Sequence, residues 1–240
     1  SMEGDFPEGQ ESLRTRVERE LRDTFRAANY EVFDVKLELQ PPMVSADVAD
    51  FWGGYDVEFK LIEKSRYASY SSNILELRKR AIHLGQGQKF LIDISRFEYT
   101  GGKEPQNFDG YQIFVYSAEM IVCEKLRAIC QQMPEYGPVV NRIRPGGPRA
   151  RDFLDIHTLV TNRKINIGSP VNSELLVQIF KAKRVSLSLL GLVGKYREFH
   201  RTDFPAVVTT VKRGVVLQEF DFYFEFVLGL IEDLKPLWYV

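Results

Sequence analysis

Two sets of side chains in this 240-residue chain have the types and spacing for phosphate or metal chemistry. The first is acidic. Asp56 and Glu58 alternate with Val57 and Phe59, so they share one face of a strand. Asp93 interrupts the apolar run Phe90-Leu91-Ile92-Asp93-Ile94, with Ile92 and Ile94 directed the other way. Neighbouring strands lie about 4.8 Å apart, so three carboxylates could converge on one hard cation, Mg²⁺ or Mn²⁺. Such an ion activates a nucleophile or holds a nucleotide's phosphates. The plainer reading is an amphipathic strand with a charged wet face. The second set is basic. Lys125 and Arg127 lie on one helical segment, and Arg149, Arg151, Asp152 and Asp155 on another. A lysine beside clustered arginines suits phosphate binding by charge and fork geometry. Its plainer reading is a solvated surface with charge pairs at helix ends.

These side chains need elements to position them. Leu13, Val17, Leu21 and Phe25 recur every four residues and predict an amphipathic helix over 11–28. Alternation predicts strands at 31–39, with Phe33, Val35, Leu37 and Leu39 on one face, and at 55–62. A helix over 72–84 through Ile74, Leu77, Ala81 and Leu84 precedes strands at 89–95 and 111–116. Ser117 is placed to cap a helix over 118–132. A Pro- and Gly-rich loop, 133–147, carries Arg142 and Arg144 and is expected to be mobile without substrate. Pro148 then opens a helix over 149–161. The two helices should pack antiparallel, burying Ile121, Ile129, Phe153 and Ile156, with Lys125 and Asp152 on the rim of one cleft. Beyond residue 171 the pattern is helical, at 172–190, near 195–211 and at 217–234. The expected fold is α/β (α+β): a mixed sheet with flanking helices, then a helical bundle. The expected division is 1–162 and 171–240.

Composition limits the function classes. Hydrophobic residues make up 44% and charged residues 27%, which excludes a disordered or fibrous chain. Lys plus Arg is 32 against 33 Asp plus Glu, a net charge of −1. That excludes a uniformly basic nucleic-acid coat and leaves room for a local basic patch. Cys123 and Cys130 are two helical turns apart, too far for a disulfide, and read as reduced core residues of a cytoplasmic protein. No apolar run reaches the roughly 20 residues of a membrane span. His83, His157 and His200 have no metal-ligand spacing, and His157, beside Ile156, reads as a packing or solvated residue.

Two resemblances sharpen this. Glu58-Phe59-Lys60 on a strand between helices resembles the metal-dependent PD-(D/E)XK nucleases, which implies a site of Asp56, Glu58 and Lys60. The segment Tyr116–Leu159, with Glu124-Lys125-Leu126-Arg127-Ala128 and then Arg149-Ala150-Arg151-Asp152-Phe153-Leu154-Asp155, closely resembles the AbiEii/AbiGii nucleotidyltransferase toxins. Phe90–Ser95 looks like the family strand that supplies a third metal carboxylate, and Asp56–Phe59 is similar to its first acidic strand. The chain departs from the family pattern in lacking a glycine helix before that strand. Gly53-Gly54 abuts it directly, and Ser1–Phe6, with Glu3 and Asp5, is a competing version of the acidic strand.

The toxin resemblance implies transfer of NMP from an NTP to an RNA, such as tRNA, or to a protein acceptor. The setting it implies is toxin–antitoxin or phage defence, with a cognate antitoxin as partner. Asp56, Glu58 and Asp93 would hold Mg²⁺ (or Mn²⁺), with Asp93, Lys125 and Asp152 catalytic. Lys125, Arg127, Arg149 and Arg151 would bind the nucleotide. A catalytically inactive binding module on the same fold is the alternative outside enzymes.

Overall fold

The computed structural model describes residues 10–83, 85, 87–212 and 214–239. The chain divides into two compact units, one ending at Phe97 and the other beginning at Glu98. This division falls earlier than the expected one near 162–170. Residues 162–170 lie inside the second unit as a helix–helix turn, because the helices on either side of them share its core.

In the first unit, helix α1 (Gln10–Ala27) lies on a three-stranded sheet of β1 (Tyr30–Gln40), β2 (Gly54–Glu63) and, after two short helices, β3 (Phe90–Ser95). The sheet has the order β1-β2-β3 and is antiparallel throughout, where a mixed sheet was expected. Leu13 and Val17 of α1 are buried against Val32, Val35, Leu37, Val57, Phe59 and Ile94. Strict alternation puts Phe33 with Val35, but a bulge between Phe33 and Lys36 breaks the phase, with Asp34 in the left-handed region at φ 55°. An extra residue turns every side chain before it to the opposite face. Phe33 therefore joins Ile62, Leu77 and Ala81 in a second cluster under the helices α2 (Lys64–Tyr70) and α3 (Ile74–Lys79). Helix α3 is shorter than the periodicity over 72–84 implies. Asn73 caps it, accepting from Leu75 N at 3.1 Å and Glu76 N at 3.2 Å, while Leu84 lies outside the described residues.

The second unit begins with a hairpin, β4 (Lys103–Phe108) and β5 (Tyr111–Tyr116). Its two-residue turn has Asp109 at φ 50° and Gly110 at φ 85°, the positive pair that matches hairpin twist. Helix α4 (Ala118–Gln131) follows with Ser117 as N-cap, accepting from Met120 N at 3.2 Å. The expected loop is in part a 3₁₀ turn, Pro134–Val140, with Tyr136 buried. Helices α5 (Ala150–Arg163), α6 (Pro170–Ala182), α7 (Arg197–Arg201), α8 (Phe204–Thr210) and α9 (Phe220–Asp233) complete it, with further 3₁₀ turns. Helix α4 packs on α5 and α6, and α5 on α9. Ile129, Phe153 and Ile156 have no exposed surface, each contributing about 2–3 kcal/mol relative to exposure. Ile121 is only partly buried. Within the aromatic run at 220–226, Phe220 and Phe224 are helical core against Phe153, while Phe222 is exposed. No helix among the described residues is long and apolar enough to cross a membrane.

Candidate functional site

The contact of α4 with α5 brings the main basic set together. Asp152 is the third residue of α5, where the helix dipole favours an anion, and Asp155 is almost one turn further on. Lys125, from the middle of α4, donates from Nζ to Asp152 Oδ1 at 2.7 Å and to Asp155 Oδ2 at 2.9 Å. Arg149 Nε donates to the other oxygen of Asp152 at 2.6 Å, and Arg151 Nε to the other oxygen of Asp155 at 3.0 Å. Arg151 Nη1 also reaches Thr210 Oγ1 at 2.7 Å.

Charges alternate through this cluster, and three cations against two carboxylates leave a net charge of +1. Lys125 and Asp152 are mostly buried, at 21% and 7% exposed, while the Arg149 and Arg151 side chains are over 40% exposed. Burial alone would push the Lys125 pKa down. The hydrogen bonds to Asp152 and Asp155 outweigh it, and the ammonium is held above its usual range. The result is a fixed cation beside two arginines whose side chains stay over 40% exposed, a geometry suited to several phosphate oxygens at once.

Sequence reasoning missed one residue here. His200 of α7 is fully buried, its ring 5.1 Å from that of Phe153 and 5.0 Å from that of Phe199. Its Nδ1 accepts the backbone N–H of Arg149 at 3.1 Å. Burial holds the imidazole pKa down to about 4. A lone histidine about fifty residues downstream carries no local signal of this contact. His157, by contrast, is the packing residue expected, with Phe222, Tyr223 and Phe226 around it.

Arg127 does not join the cluster. Two residues along a helix is about 200° of rotation, so Arg127 leaves α4 on the side away from Lys125. There it is 8% exposed and donates to Glu124 and Gln131, with Glu98 at 3.8 Å. Lys183 pairs with Glu98 at 3.2 Å, and Tyr136 joins Gln131 to the Lys183 carbonyl. Burial pushes Glu124 up to about 6 and Lys183 down. This is an internal ion network, and it commits the Arg127 guanidinium, expected to bind the nucleotide, to partners within the protein. Arg142 is likewise committed within the protein, donating from Nη2 to the Gln131 carbonyl at 2.6 Å. Arg144 is exposed, and Cys123 and Cys130 are free and buried, with burial raising both thiols.

The acidic set lies in the first unit. Asp56 is directly opposite Asp93, so the two share a face of the sheet with Glu58. Asp56 accepts from Gln40 Nε2 at 3.0 Å. Glu58 is spent on Lys89 at 2.7 Å and Lys36 at 3.5 Å, and the Lys89 hydrogen bond holds its carboxyl below the usual range. Among the described residues no three His, Cys, Asp or Glu side chains are grouped closely enough to hold a metal ion. The three carboxylates as placed therefore do not fit the expected Mg²⁺ site. The stub Ser1–Phe6 lies outside the described residues.

The Lys60 ammonium is directed to Asp34 and not to Glu58, the partner a nuclease site would need. The side chain is 12% exposed and donates to Asp34 Oδ2 at 2.6 Å. Arg78 binds both oxygens of the same carboxylate, at 2.6 and 2.8 Å, and with Lys60 holds it well below the usual range. The strand lysine therefore neutralises the acid that the bulge turns inward.

No curated protein and no solved structure matches the chain. The family model described as nucleotidyl transferase AbiEii toxin, type IV TA system, matches residues 9–225, a span that includes α4, α5 and every residue of the Lys125 cluster. The chain belongs to the AbiEii family of nucleotidyltransferase toxins.

Proposed function

We propose that the Lys125 cluster binds the triphosphate of an NTP and that the protein transfers NMP to an RNA acceptor, with a cognate antitoxin as its cellular counterpart. The observation that carries this reading is the ammonium of Lys125 fixed between Asp152 and Asp155, with Arg149 and Arg151 alongside. In this reaction an acceptor hydroxyl attacks the α-phosphorus, the new P–O bond forms and pyrophosphate leaves. Lys125 and the two arginines offset charge on the phosphate chain, as positioned cations do in phosphoryl transfer. Asp152 and Asp155 hold the ammonium in place and keep the site from collecting anions indiscriminately.

The test is incubation of the purified protein with each α-labelled NTP, Mg²⁺ or Mn²⁺, and total RNA or a protein extract. The expected result is label on RNA, with Lys125→Ala lowering the rate about a hundredfold or more, the usual loss for a charge stabilising the transition state. Label on protein instead would change the acceptor. RNA loss without label would revive the nuclease reading. No label on either, or Lys125→Ala at the parental rate, would overturn the proposal.

A further inference from the structure

We infer that His200 is a positioning residue for this site, taking over the hydrogen bond that would otherwise draw Asp152 away from Lys125. The inference rests on the reading of the Lys125 cluster as the nucleotide site.

The argument starts at the N-terminus of α5. Arg149 is the N-cap residue and supplies no side-chain cap, and Asp152 is the third helical residue. In the usual reciprocal arrangement an acid at that third position reaches back to accept the N-cap backbone N–H. Here that N–H goes to His200 Nδ1 at 3.1 Å. Both oxygens of Asp152 are thereby left for side chains, one for Lys125 at 2.7 Å and one for Arg149 Nε at 2.6 Å. Without an acceptor from α7, the Arg149 N–H would be a part-buried donor lacking a partner, which is costly, and Asp152 is the acceptor nearest in sequence that could relieve it. Its rotation would withdraw one of the two anions that fix the ammonium.

This role requires a neutral imidazole with its proton on Nε2, since Nδ1 accepts. The surroundings enforce that state. The ring lies between Phe153 and Phe199, with Asp152 as the charge favouring protonation and Arg149 as the charge opposing it, and burial outweighs both. Nε2 is buried with no hydrogen-bond partner among the described residues, so a second proton on the ring would bring a charge with nothing to receive it.

Three measurements on the full chain test this. Long-range ¹H–¹⁵N correlation spectra of the parent should show the Nε2–H tautomer of His200 unchanged between pH 8 and 5.5. An Nδ1–H tautomer, or titration near the unperturbed value, would overturn the inference. Nucleotidyl transfer and thermal melting should then be compared for His200→Leu, which fills space without an acceptor, and His200→Asn, whose amide oxygen can stand near the position of Nδ1. The expected orders cross. His200→Leu should be at least as stable as His200→Asn yet slower by about tenfold or more, the scale of loss from a misplaced catalytic group. Activity that simply follows melting temperature would make His200 packing alone. A crystal structure of His200→Leu should show Asp152 turned toward the Arg149 N–H, and an unchanged Lys125–Asp152 contact would overturn the inference even if the parent transfers no nucleotide. That last result in the parent would sink the functional reading and leave the positioning claim to the spectra and the crystal structure.

Discussion

Replacing Lys125 with methionine removes a charge from between two carboxylates while keeping most of the side-chain volume. At an effective dielectric near 20, each of its contacts, at 2.7 and 2.9 Å, corresponds to an attraction of about 6 kcal/mol. Desolvation of the three ions offsets most of that, and removing one partner of a fully buried pair costs about 3–5 kcal/mol. Here Lys125 is 21% and Asp155 30% exposed, and Arg149 and Arg151 still hold the carboxylates. The expected loss is therefore smaller, about 2 kcal/mol. Trp238 lies in the second unit, where a side-chain atom added at Gly191 would come within 2.8 Å of its ring. With Trp52 changed to phenylalanine in both proteins, Trp238 fluorescence during urea unfolding at pH 7 reads that unit alone. The loss should persist in 1 M NaCl, because a mostly buried pair is screened far less than a surface one. A cycle of Lys125→Met with Asp152→Asn should show a coupling of about 1 kcal/mol or more. A Lys125→Met loss within about 0.5 kcal/mol of zero, the range of ordinary surface changes, would refute the account of the cluster as a buried clamp.

Two further outcomes follow from particular residues. His200 titrates at about 4 in the folded protein against 6.5 unperturbed, so the unfolded chain binds the extra proton first and stability falls as pH drops from 6.5 to 4. The contribution is about 3 kcal/mol, complete above pH 6.5 and gone below 4; buried Glu124 acts in the opposite sense in parent and variant alike and cancels in their difference. Urea stabilities of parent and His200→Leu across that range should converge as pH falls, and a constant difference would refute the assignment. Gly54→Ala should cost the first unit about 1–3 kcal/mol by Trp52 fluorescence, since the added Cβ would meet the Ile94 carbonyl oxygen at 2.3 Å across the β2–β3 pair. Parental stability would mean that the strands part without cost.

Much of this protein is legible one segment at a time. The four-residue recurrence of Leu13, Val17, Leu21 and Phe25 predicts α1, the Ser117 cap opens α4, and the Glu124–Ala128 and Arg149–Asp155 spacings point to the family and to Lys125 and Asp152 as partners. Such features repeat at the period of the backbone itself, 3.6 residues in a helix and two in a strand, so neighbours in sequence report them. Even Arg127 was readable in this way, since its angle on α4 separates it from Lys125.

What only the tertiary structure decided are the pairings between distant segments. The bulge at Asp34 reverses the face of Phe33 and creates the half-buried acid that takes up Lys60, and nothing in the alternation of 31–39 announces it. The polar stretch Lys103–Phe108 is a strand because β5 pairs with it. His200 reaches Arg149 across 51 positions, and Glu98 finds Lys183 across 85. A hydrogen bond or ion pair of this kind is selected by which surfaces the core packing brings within about 3 Å. That depends on every crossing angle and loop between the two residues, and no local period in the sequence encodes it.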